Sequence, residues 1–289
     1  MSHMLLLDTS SLTYRAFFAL PDSITDEDGR PVNAVRGYLD MTARLIVDQK
    51  PDRVCHVFDA DWRPAGRVEA YPGYKADRAP DPEGLPEQFP LLREVLAALG
   101  QRCVEAPGWE ADDAIAVLAG AVQEPDRVDV VTGDRDLIQL VRDPVVRVLY
   151  TLRGVSELRV FDAAAVQGHY GVPPERYSDF AILRGDPSDG LPGVPGVGEK
   201  TARRLIAAYP SLDALIADAG AQTPRLAQRL TEAADYIAAM GAVVPLRTDV
   251  ELTIDEGSRD DAALDRLVAG RNLEGPLGRL RAALDGVAT

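Results

Sequence analysis

Histidine is scarce in this chain: of its 289 residues, only His3, His56 and His169 carry an imidazole. Zinc hydrolases, and nucleases that use paired imidazoles as acid and base, need several histidines at one site, so both classes are nearly excluded. With 46% hydrophobic residues, the chain is still able to bury a large core. Any catalysis must therefore rely on other side chains.

Cysteine and long apolar runs are also rare. The two cysteines, Cys55 and Cys103, indicate reduced thiols in apolar surroundings, because a secreted protein of this length usually has more cysteines. No apolar run approaches the length of a membrane span, and the run Met4–Leu7 meets Asp8 too soon for a signal peptide. A cytoplasmic protein is predicted.

Basic residues are outnumbered by acidic ones. The chain has 31 lysines and arginines against 46 aspartates and glutamates, for a net charge of -15. This balance argues against a protein that simply coats nucleic acid, since non-specific affinity comes from neutralised phosphates. A site for bound cations would concentrate acids in one place, while bases elsewhere would still form a local positive surface.

Three short apolar segments predict buried strands of a parallel sheet, namely Leu5–Leu7, Val54–Phe58 and Val128–Thr132. An aspartate closely follows each of them: Asp8, Asp59 and Asp134. The carboxyl ends of parallel strands share one edge of the sheet, where doubly wound folds place their ligands. We therefore expect the three carboxylates to gather there.

A second acidic group precedes a predicted helix over Ala114–Val122. Glu110 and Asp113 fall on one helix face, and Asp112 lies about 100° round from Asp113, so together they are able to serve neighbouring ions. The alternative interpretation is an ordinary acidic helix N-terminus, which the helix dipole favours.

Two further pairs of acids allow similar alternatives. Asp134 and Asp136 leave a strand two residues apart, on the same side, although a solvated turn explains them as well. Asp186 and Asp189 are equally typical of turn and cap residues. Nine carboxylates in five segments, with almost no histidine, suit hard cations such as Mg²⁺ or Mn²⁺, and two such ions suit phosphoryl transfer.

The run Leu191–Thr201 is rich in glycine and proline. It is not a nucleotide-binding Walker loop, because Glu199 separates Gly198 from Lys200 and no strand precedes it. It predicts a hairpin between two helices, the second over Glu199–Tyr209, whose backbone N–H groups can bind a DNA phosphate beside basic residues. A plain helix-helix turn with no ligand is the alternative.

The segment 61–90 shows no clear periodicity and predicts a long loop or lid. Its arginines, lysine and tyrosines suit phosphate contact and stacking with single-stranded nucleic acid. An ordinary loop is the alternative, which the position directly after Asp59 disfavours.

Taken in order, these motifs resemble the 5′-nuclease, or flap endonuclease, family, and especially the 5′→3′ exonuclease domain of bacterial DNA polymerase I in a stand-alone form. The matching motifs are Leu7-Asp8 with Tyr14–Phe18, Val57–Asp59, Arg67 with Tyr74–Arg78, Gly108–Asp113, Thr132–Leu137, Gly185–Asp189 and Gly196–Ala202. The match is collinear over almost the whole chain, and the set is far more specific than any single motif.

The resemblance implies an α/β fold: a PIN-like, Rossmann-like, mostly parallel sheet flanked by helices, with a smaller helix-three-turn-helix domain. It implies a catalytic domain over 1–174 that includes an arch at 61–90, a DNA-binding domain over 175–250 and a C-terminal extension over 251–289. The implied activity is two-metal cleavage of DNA at 5′ flaps and 5′ ends, by a monomer acting in replication and repair.

Site residues are carried over by motif. The implied metal ligands are Asp8, Asp59, Glu110, Asp112, Asp113, Asp134, Asp136, Asp186 and Asp189. The implied catalytic residues are three positively charged side chains, Arg67, Lys75 and Arg78. The implied DNA contacts are Tyr14, Arg15, Tyr71, Tyr74, Gly193, Gly196, Gly198, Lys200, Thr201, Arg203 and Arg204, with K⁺ at the hairpin of the helical domain.

The chain departs from the family at two places. Gly190 follows Asp189 where asparagine is usual, and the segment 61–66 differs from the shorter family approach to Arg67. Two rival functions stay open. One is a PIN-type ribonuclease. The basic hairpin disfavours that alternative, because it indicates binding to duplex DNA. The other is a DNA-binding module without catalysis, in which nine mutually repelling carboxylates would be costly to keep.

Overall fold

The computed structural model describes residues 1–287 and contains a seven-stranded sheet with the order β6-β5-β4-β1-β2-β3-β7. The strands are β1 (His3–Asp8), β2 (Arg53–Phe58), β3 (Arg102–Glu105), β4 (Arg127–Thr132), β5 (Val146–Arg153), β6 (Glu157–Phe161) and β7 (Thr253–Glu256). The first five are parallel, and β6 and β7 are antiparallel edge strands. The three predicted strands are confirmed as β1, β2 and β4.

The central strand is apolar on both sides because helices cover both faces of the sheet. Leu5, Leu6 and Leu7 are all fully buried. Leu6 packs into one hydrophobic layer, whereas Leu5 and Leu7 pack into the other. This explains why the strand reads as a continuous apolar run rather than an alternating one.

Thirteen helices lie within the described residues. They are α1 (Thr9–Ala19), α2 (Asn33–Gln49), α3 (Ala65–Ala70), α4 (Gln88–Ala98), α5 (Ala111–Gly120), α6 (Ala163–Tyr170), α7 (Tyr177–Arg184), α8 (Glu199–Ala208), α9 (Leu212–Ala217), α10 (Pro224–Glu232), α11 (Ala234–Met240), α12 (Asp261–Val268) and α13 (Glu274–Val287). One face of the sheet packs against α1, α2, α4, α12 and α13, and the other against α5, α6 and the helices from α7 to α11. The α/β fold with a smaller helical part is confirmed.

The segment 61–90, which the sequence predicts as a loop or lid, contains more regular structure than expected. Helix α3 lies inside it, and α4 begins at Gln88. Helix α3 is only six residues long and has a single buried residue, Arg67, so it offers no apolar stripe from which periodicity is read.

The C-terminal segment returns to the sheet. Strand β7 pairs with β3, with Val104 opposite Ile254, and α13 packs along α2. The predicted division into 1–174, 175–250 and 251–289 stays a prediction, although this packing joins the last segment to the first. Residues 288–289 lie outside the described residues. No helix among residues 1–287 has the length and apolar character needed to cross a membrane.

Candidate active site

The site begins where β1 ends and α1 starts. Asp8 caps α1 by accepting a hydrogen bond from the Ser11 N–H at 3.0 Å, and it accepts another from the Thr132 hydroxyl at 2.6 Å. Burial, together with the nearby Asp59 carboxylate, raises the pKa of Asp8 to about 7. The aspartate is thus held in place at a position where its negative charge is unfavourable without a cation.

The other two strand-end aspartates lie beside it, as predicted. Asp59 accepts a hydrogen bond from the Ala111 N–H at 2.7 Å, which ties the end of β2 to the start of α5. The Asp134 N–H donates to the Thr132 hydroxyl at 2.8 Å, and Asp134 itself is exposed. Strands β1 and β4 are neighbours whose chain continuations diverge, so this edge is the topological switch point of the sheet.

Gly133, between Thr132 and Asp134, makes room for Arg15. A Cβ atom on Gly133 would lie 2.3 Å from Arg15 Nε, closer than any real Cβ contact. The glycine in this motif therefore lets a base from α1 lie across the carboxylate edge.

The first turn of α5 places its three acids in different surroundings. Asp112 faces the strand-end aspartates, and burial together with the charges of Asp134 and Asp8 raises its pKa well above the usual range. Asp113 is fully buried on another side of the helix. Glu110 directly precedes the helix, where its backbone is extended.

Asp113 is bound by arginine rather than open to the site. Arg67, which is 2% exposed, donates to both oxygens of Asp113 at 2.8 and 2.7 Å and to Glu110 at 2.5 Å. The Arg67 Nε–H donates to the Val243 carbonyl, and the Arg247 N–H donates to Asp113, each at 2.9 Å. The structure therefore buries both Asp113 and Arg67 and pairs them with each other.

Glu110 also accepts hydrogen bonds from Lys75 and, at 2.7 Å, from the Tyr74 hydroxyl. Burial alone would lower the pKa of Lys75, but the carboxylates of Glu110 and Asp189 outweigh it and raise that pKa. Lys75 Nζ lies 3.9 Å from Asp189, so one ammonium group connects two acidic motifs. Lys75 is positively charged at the edge of the site.

Asp136, Asp186 and Asp189 form a second acidic group. Burial, with the charge of Asp134, raises the pKa of Asp136 well above the usual range. Asp186 lies 3.5 Å from Arg184 and 3.6 Å from Arg135, and it also caps the turn at Pro187. Asp186 is thus both a turn-capping residue and a member of an acidic cluster, the two interpretations that its sequence allowed.

A cavity of about 1210 Å³ opens over the strand-end carboxylates. Its acidic lining is Asp8, Asp59, Asp81, Glu110, Asp112 and Asp134, and its basic lining is Arg15, Lys75, Arg78 and Arg93. Among residues 1–287, no three His, Cys, Asp or Glu side chains are positioned to hold an ion between them as they stand. The strand-end carboxylates nevertheless suit a hard cation, since their ligand atoms are all oxygen and burial, together with mutual repulsion, raises the pKa of Asp8 and Asp112.

The tyrosines expected to stack on nucleic acid are placed differently. Tyr74 is 3% exposed, with its hydroxyl on Glu110, so its ring is not available to a base. Tyr71 packs edge-on against Tyr236, with ring centroids 6.2 Å apart. Only Tyr14 of the predicted aromatic contacts lines the cavity.

Two exposed aromatic residues that sequence reasoning did not assign also line this cavity. Phe18 is 70% exposed and Trp62 is 49% exposed. For Trp62 a signal was present, because it lies in the segment 61–66, which departs from the family pattern.

The hairpin lies between α7 and α8, directly after Asp186 and Asp189 and far along the chain from the strand-end carboxylates. Gly193 and Gly196 have φ values of +68° and +74°, which favour glycine, and the Gly193 N–H donates to the Tyr236 hydroxyl at 3.1 Å. Gly198 is the N-cap residue of α8, whose first turn contains Glu199, exposed Lys200 and half-buried Thr201. The predicted hairpin and its helix are both confirmed as structure.

The two arginines of α8 have neighbours within the protein. Arg203 donates to Glu199 at 3.1 Å and contacts the His169 carbonyl at 3.4 Å, whereas Arg204 donates to Gln222 at 3.2 Å. Arg203 thus connects the helical region to the end of α6.

Comparison with known proteins gives matches over nearly the whole chain. Residues 3–171 match the 5′-3′ exonuclease N-terminal resolvase-like domain, and residues 172–265 match the 5′-3′ exonuclease C-terminal SAM fold. A 5′-3′ exonuclease of Streptomyces coelicolor is 48% identical, over 97% of this chain and 99% of its own. One from Mycobacterium tuberculosis is 43% identical, over 98% of each chain.

A longer protein and a solved structure are also similar to this chain. DNA polymerase I of Mycobacterium bovis is 49% identical over 74% of this chain, which corresponds to 24% of that much longer protein. The bacteriophage T5 flap endonuclease, solved as a pseudo-enzyme-product complex with DNA and metal ions, superposes with a TM-score of 0.69 at 18% identity. That superposition covers 99% of this chain and 100% of the phage protein, and it shows the shared fold.

Proposed function

Because this chain belongs to the 5′-3′ exonuclease family, we propose that the cavity over the carboxyl edge of the sheet is the place where it hydrolyses DNA phosphodiesters. The protein is a metal-dependent 5′-nuclease whose activity fits DNA replication and repair. The observation that carries the assignment of the site is the convergence of Asp8, Asp59, Asp112 and Asp134 from four segments onto one cavity.

The ligands that would hold the cations are Asp8, Asp59, Glu110, Asp112 and Asp134, with Asp136, Asp186 and Asp189 beside them. Mg²⁺ or Mn²⁺ suits this oxygen-only set. Two such ions, when bound, activate a water and stabilise the leaving oxygen of an in-line displacement. Asp113 is outside this set, since both of its oxygens accept hydrogen bonds from Arg67.

The bases of the arch segment have separate roles in this proposal. Lys75 and Arg78 line the cavity and supply positive charge where the phosphate enters. Arg67 is a positioning residue, because it is buried, donates hydrogen bonds to Glu110 and Asp113, and does not line the cavity. The catalytic role expected for Arg67 therefore becomes an indirect one.

The substrate we propose is DNA with a junction between a duplex and an unpaired 5′ strand. The exposed backbone at Gly196 and Gly198, next to Lys200, suits the phosphates of a duplex, with K⁺ bound at the same hairpin. The cavity, with Tyr14, Arg15 and Arg78 on its walls, suits an unpaired 5′ strand. Binding at both places would orient one phosphate over the carboxylates, so a 5′ flap is the best substrate.

The test compares a labelled 5′ flap, a blunt duplex, a 3′ flap and a bare single strand under single-turnover conditions, with Mg²⁺, Mn²⁺ or EDTA. We expect cleavage near the junction of the 5′ flap, slow cleavage of the bare strand and none in EDTA. Equal rates on the 5′ flap and the bare strand would refute the two-site model. A matched RNA flap cut faster than the DNA flap would instead favour the ribonuclease alternative.

We further propose that the protein is a cytoplasmic monomer. Cys55 and Cys103 are both buried free thiols, which suits a reducing compartment. Size-exclusion chromatography with light scattering tests the monomer.

A further inference from the structure

Trp62 is a large aromatic side chain held at the rim of the cavity with half of its surface in water. It is 49% exposed, and it lines the same cavity as Asp59, Lys75 and Asp134. An indole ring left open to solvent forgoes burial that would stabilise the fold, so its position needs another explanation.

The turn that carries Trp62 is fixed on both sides. Before it, the Ala60 and Asp61 N–H groups donate to the Trp109 carbonyl at 3.2 and 3.0 Å. After it, Arg63 donates to the Tyr74 carbonyl at 2.7 Å and to the Pro72 carbonyl at 2.8 Å. The ring is therefore presented by a well-anchored backbone rather than by a loose loop.

Positive charge lies next to the ring. The guanidinium carbon of Arg78 is 5.8 Å from the centre of the Trp62 ring, within cation-π range. An aromatic face beside a base, in a cavity that leads to a carboxylate cluster, is the combination with which proteins bind unpaired nucleotides: the ring stacks on a base and the cation contacts the adjoining phosphate.

We propose that Trp62 is a stacking platform for one nucleobase of the unpaired 5′ strand, next to the phosphate placed over the carboxylates. This inference rests on the proposed 5′-nuclease function and adds a base-contacting subsite to it. Stacking uses only the face of a base, so the subsite tolerates any sequence and requires only that a base be present. Because Trp62 lies in the segment that departs from the family pattern, the subsite belongs to this chain's own version of the arch.

The first experiment measures cleavage of a 5′ flap by Trp62→Ala and Trp62→Phe under single-turnover conditions in Mg²⁺. Trp62→Ala should raise the flap concentration needed for half-saturation by about 5- to 150-fold, the range typical of losing one base–aromatic stack, while Trp62→Phe keeps most of the affinity. Ile254→Ala is the matched control, because Ile254 is 44% exposed on β7, outside the cavity, and its loss should change nothing.

The second experiment separates stacking from a role in holding Arg78. Flap substrates carry a single abasic site at successive positions near the junction. If Trp62 stacks on a base, the parent and Trp62→Ala become equal on the one substrate that lacks that base. If Trp62→Ala is impaired equally on every abasic substrate, Trp62 acts only through Arg78 or the fold, and the proposal is wrong.

Fluorescence gives a reading that does not depend on catalysis. The chain has two tryptophans, Trp62 and Trp109, so the difference between the parent and Trp62→Phe reports Trp62 alone. With Ca²⁺ in place of Mg²⁺ and the flap shown to be intact, that difference should be quenched saturably by the flap. Normal cleavage by Trp62→Ala without such quenching would overturn this inference and leave the proposed function standing, whereas failure of the parent to cut any 5′ flap would overturn the function itself.

Discussion

At the scale of single residues, the nine predicted ligands divide by their surroundings. Asp134 is exposed, Asp8 and Asp112 are packed among other acids, and Asp113 is bound by Arg67. The sequence motifs give all nine carboxylates the same role, but removing one or another of them should change the free energy of unfolding differently. Removing a carboxylate that is repelled by its neighbours relieves strain, whereas removing one that is paired leaves a buried cation without its partner.

The variants Asp134→Asn and Asp112→Asn are expected to lose almost all cleavage while the chain stays folded. Each removes one charge from a crowded acidic edge, so the metal-free variant should be as stable as the parent or more stable. Single-turnover rates in Mg²⁺ and urea unfolding in EDTA measure the two effects. Asp265→Asn, an exposed aspartate on α12, is the control that should change neither. Full cleavage by either active-site variant would rule out the metal role.

His56 gives the stability of the protein a dependence on pH that is independent of the metal site. It is fully buried on β2 with Nδ1 2.6 Å from the Tyr38 hydroxyl, and burial lowers its pKa to about 4. The unfolded histidine has a pKa of about 6.5 and binds a proton that the folded one does not, so stability falls as the pH drops from about 6.5 to 4.

The expected loss from His56 over this range is about 3 kcal/mol. Urea unfolding of the parent and of His56→Gln at pH 7 and pH 4.5 measures it, because the acidic cluster contributes equally to both proteins and cancels in the difference. If the two proteins lose the same stability between these pH values, His56 is protonated in the folded state and the prediction fails.

At the scale of elements, α5 is oriented from several directions. Asp59 binds the Ala111 N–H at its start, and Arg67 and the Arg247 N–H bind Asp113 in its first turn. These partners come from β2, from α3 and from the segment after α11. The direction of Asp112 toward the cavity is thus a consequence of how three distant segments hold one helix end.

This arrangement predicts that Asp113→Asn behaves differently from Asp134→Asn. Asp113→Asn should destabilise the metal-free protein by about 1–3 kcal/mol, because Arg67 loses a charged hydrogen-bond partner. Arg67→Met should cost more, about 3–5 kcal/mol, since it takes from buried Asp113 its charged partner and from buried Glu110 one of its two, leaving Lys75 as the other.

Urea unfolding in EDTA ranks the three variants, and Mg²⁺ titration of activity shows what each does to ion binding. A positioning role for Arg67 and Asp113 predicts reduced stability together with only a small rise in the Mg²⁺ midpoint of the residual activity, because Asp112 and Glu110 are still present but less well oriented. An Asp113→Asn protein that is as stable as the parent but needs far more Mg²⁺ would restore Asp113 to the ligand set.

At the scale of the whole molecule, a net charge of -15 coexists with two local groups of bases, one among the acids of the cavity and one on α8. The acids gather at the sheet edge, where cations would offset them, while Lys200 and its neighbouring arginines lie on α8 beyond the hairpin. In the proposed two-site model the cavity bases and the α8 bases contact different parts of one substrate, so different measurements report on each group.

We expect Lys75→Ala to lower the single-turnover rate more than the affinity, because Lys75 lies in the cavity beside Glu110. Lys200→Ala should mainly weaken binding of the duplex and flatten its dependence on salt, by about one unit of slope. Arg44→Ala, which removes one exposed charge on α2, is the matched control. Rate loss in Lys200→Ala with unchanged binding would mean that the two surfaces have been assigned the wrong way round.

Several features followed from the sequence because they depend on local geometry or on a simple rule of sheets. The aspartates after β1, β2 and β4 meet because parallel strands end at one edge. The hairpin before α8 follows from glycines that accept positive φ and from the helix that begins after Gly198.

Other features were decided only in the tertiary structure. Neighbouring residues of a helix start differ by about 100° in direction, so whether Asp112 or Asp113 faces the cavity depends on where Arg67 and the backbone near Val243 pack. Tyr74 is buried, rather than offered to DNA, because its hydroxyl meets Glu110 from a segment 36 residues away. Strand β7 joins the sheet beside β3 because an edge strand far along the chain satisfies the free backbone groups there. Each of these results rests on contacts between residues distant in the chain, which no local pattern encodes.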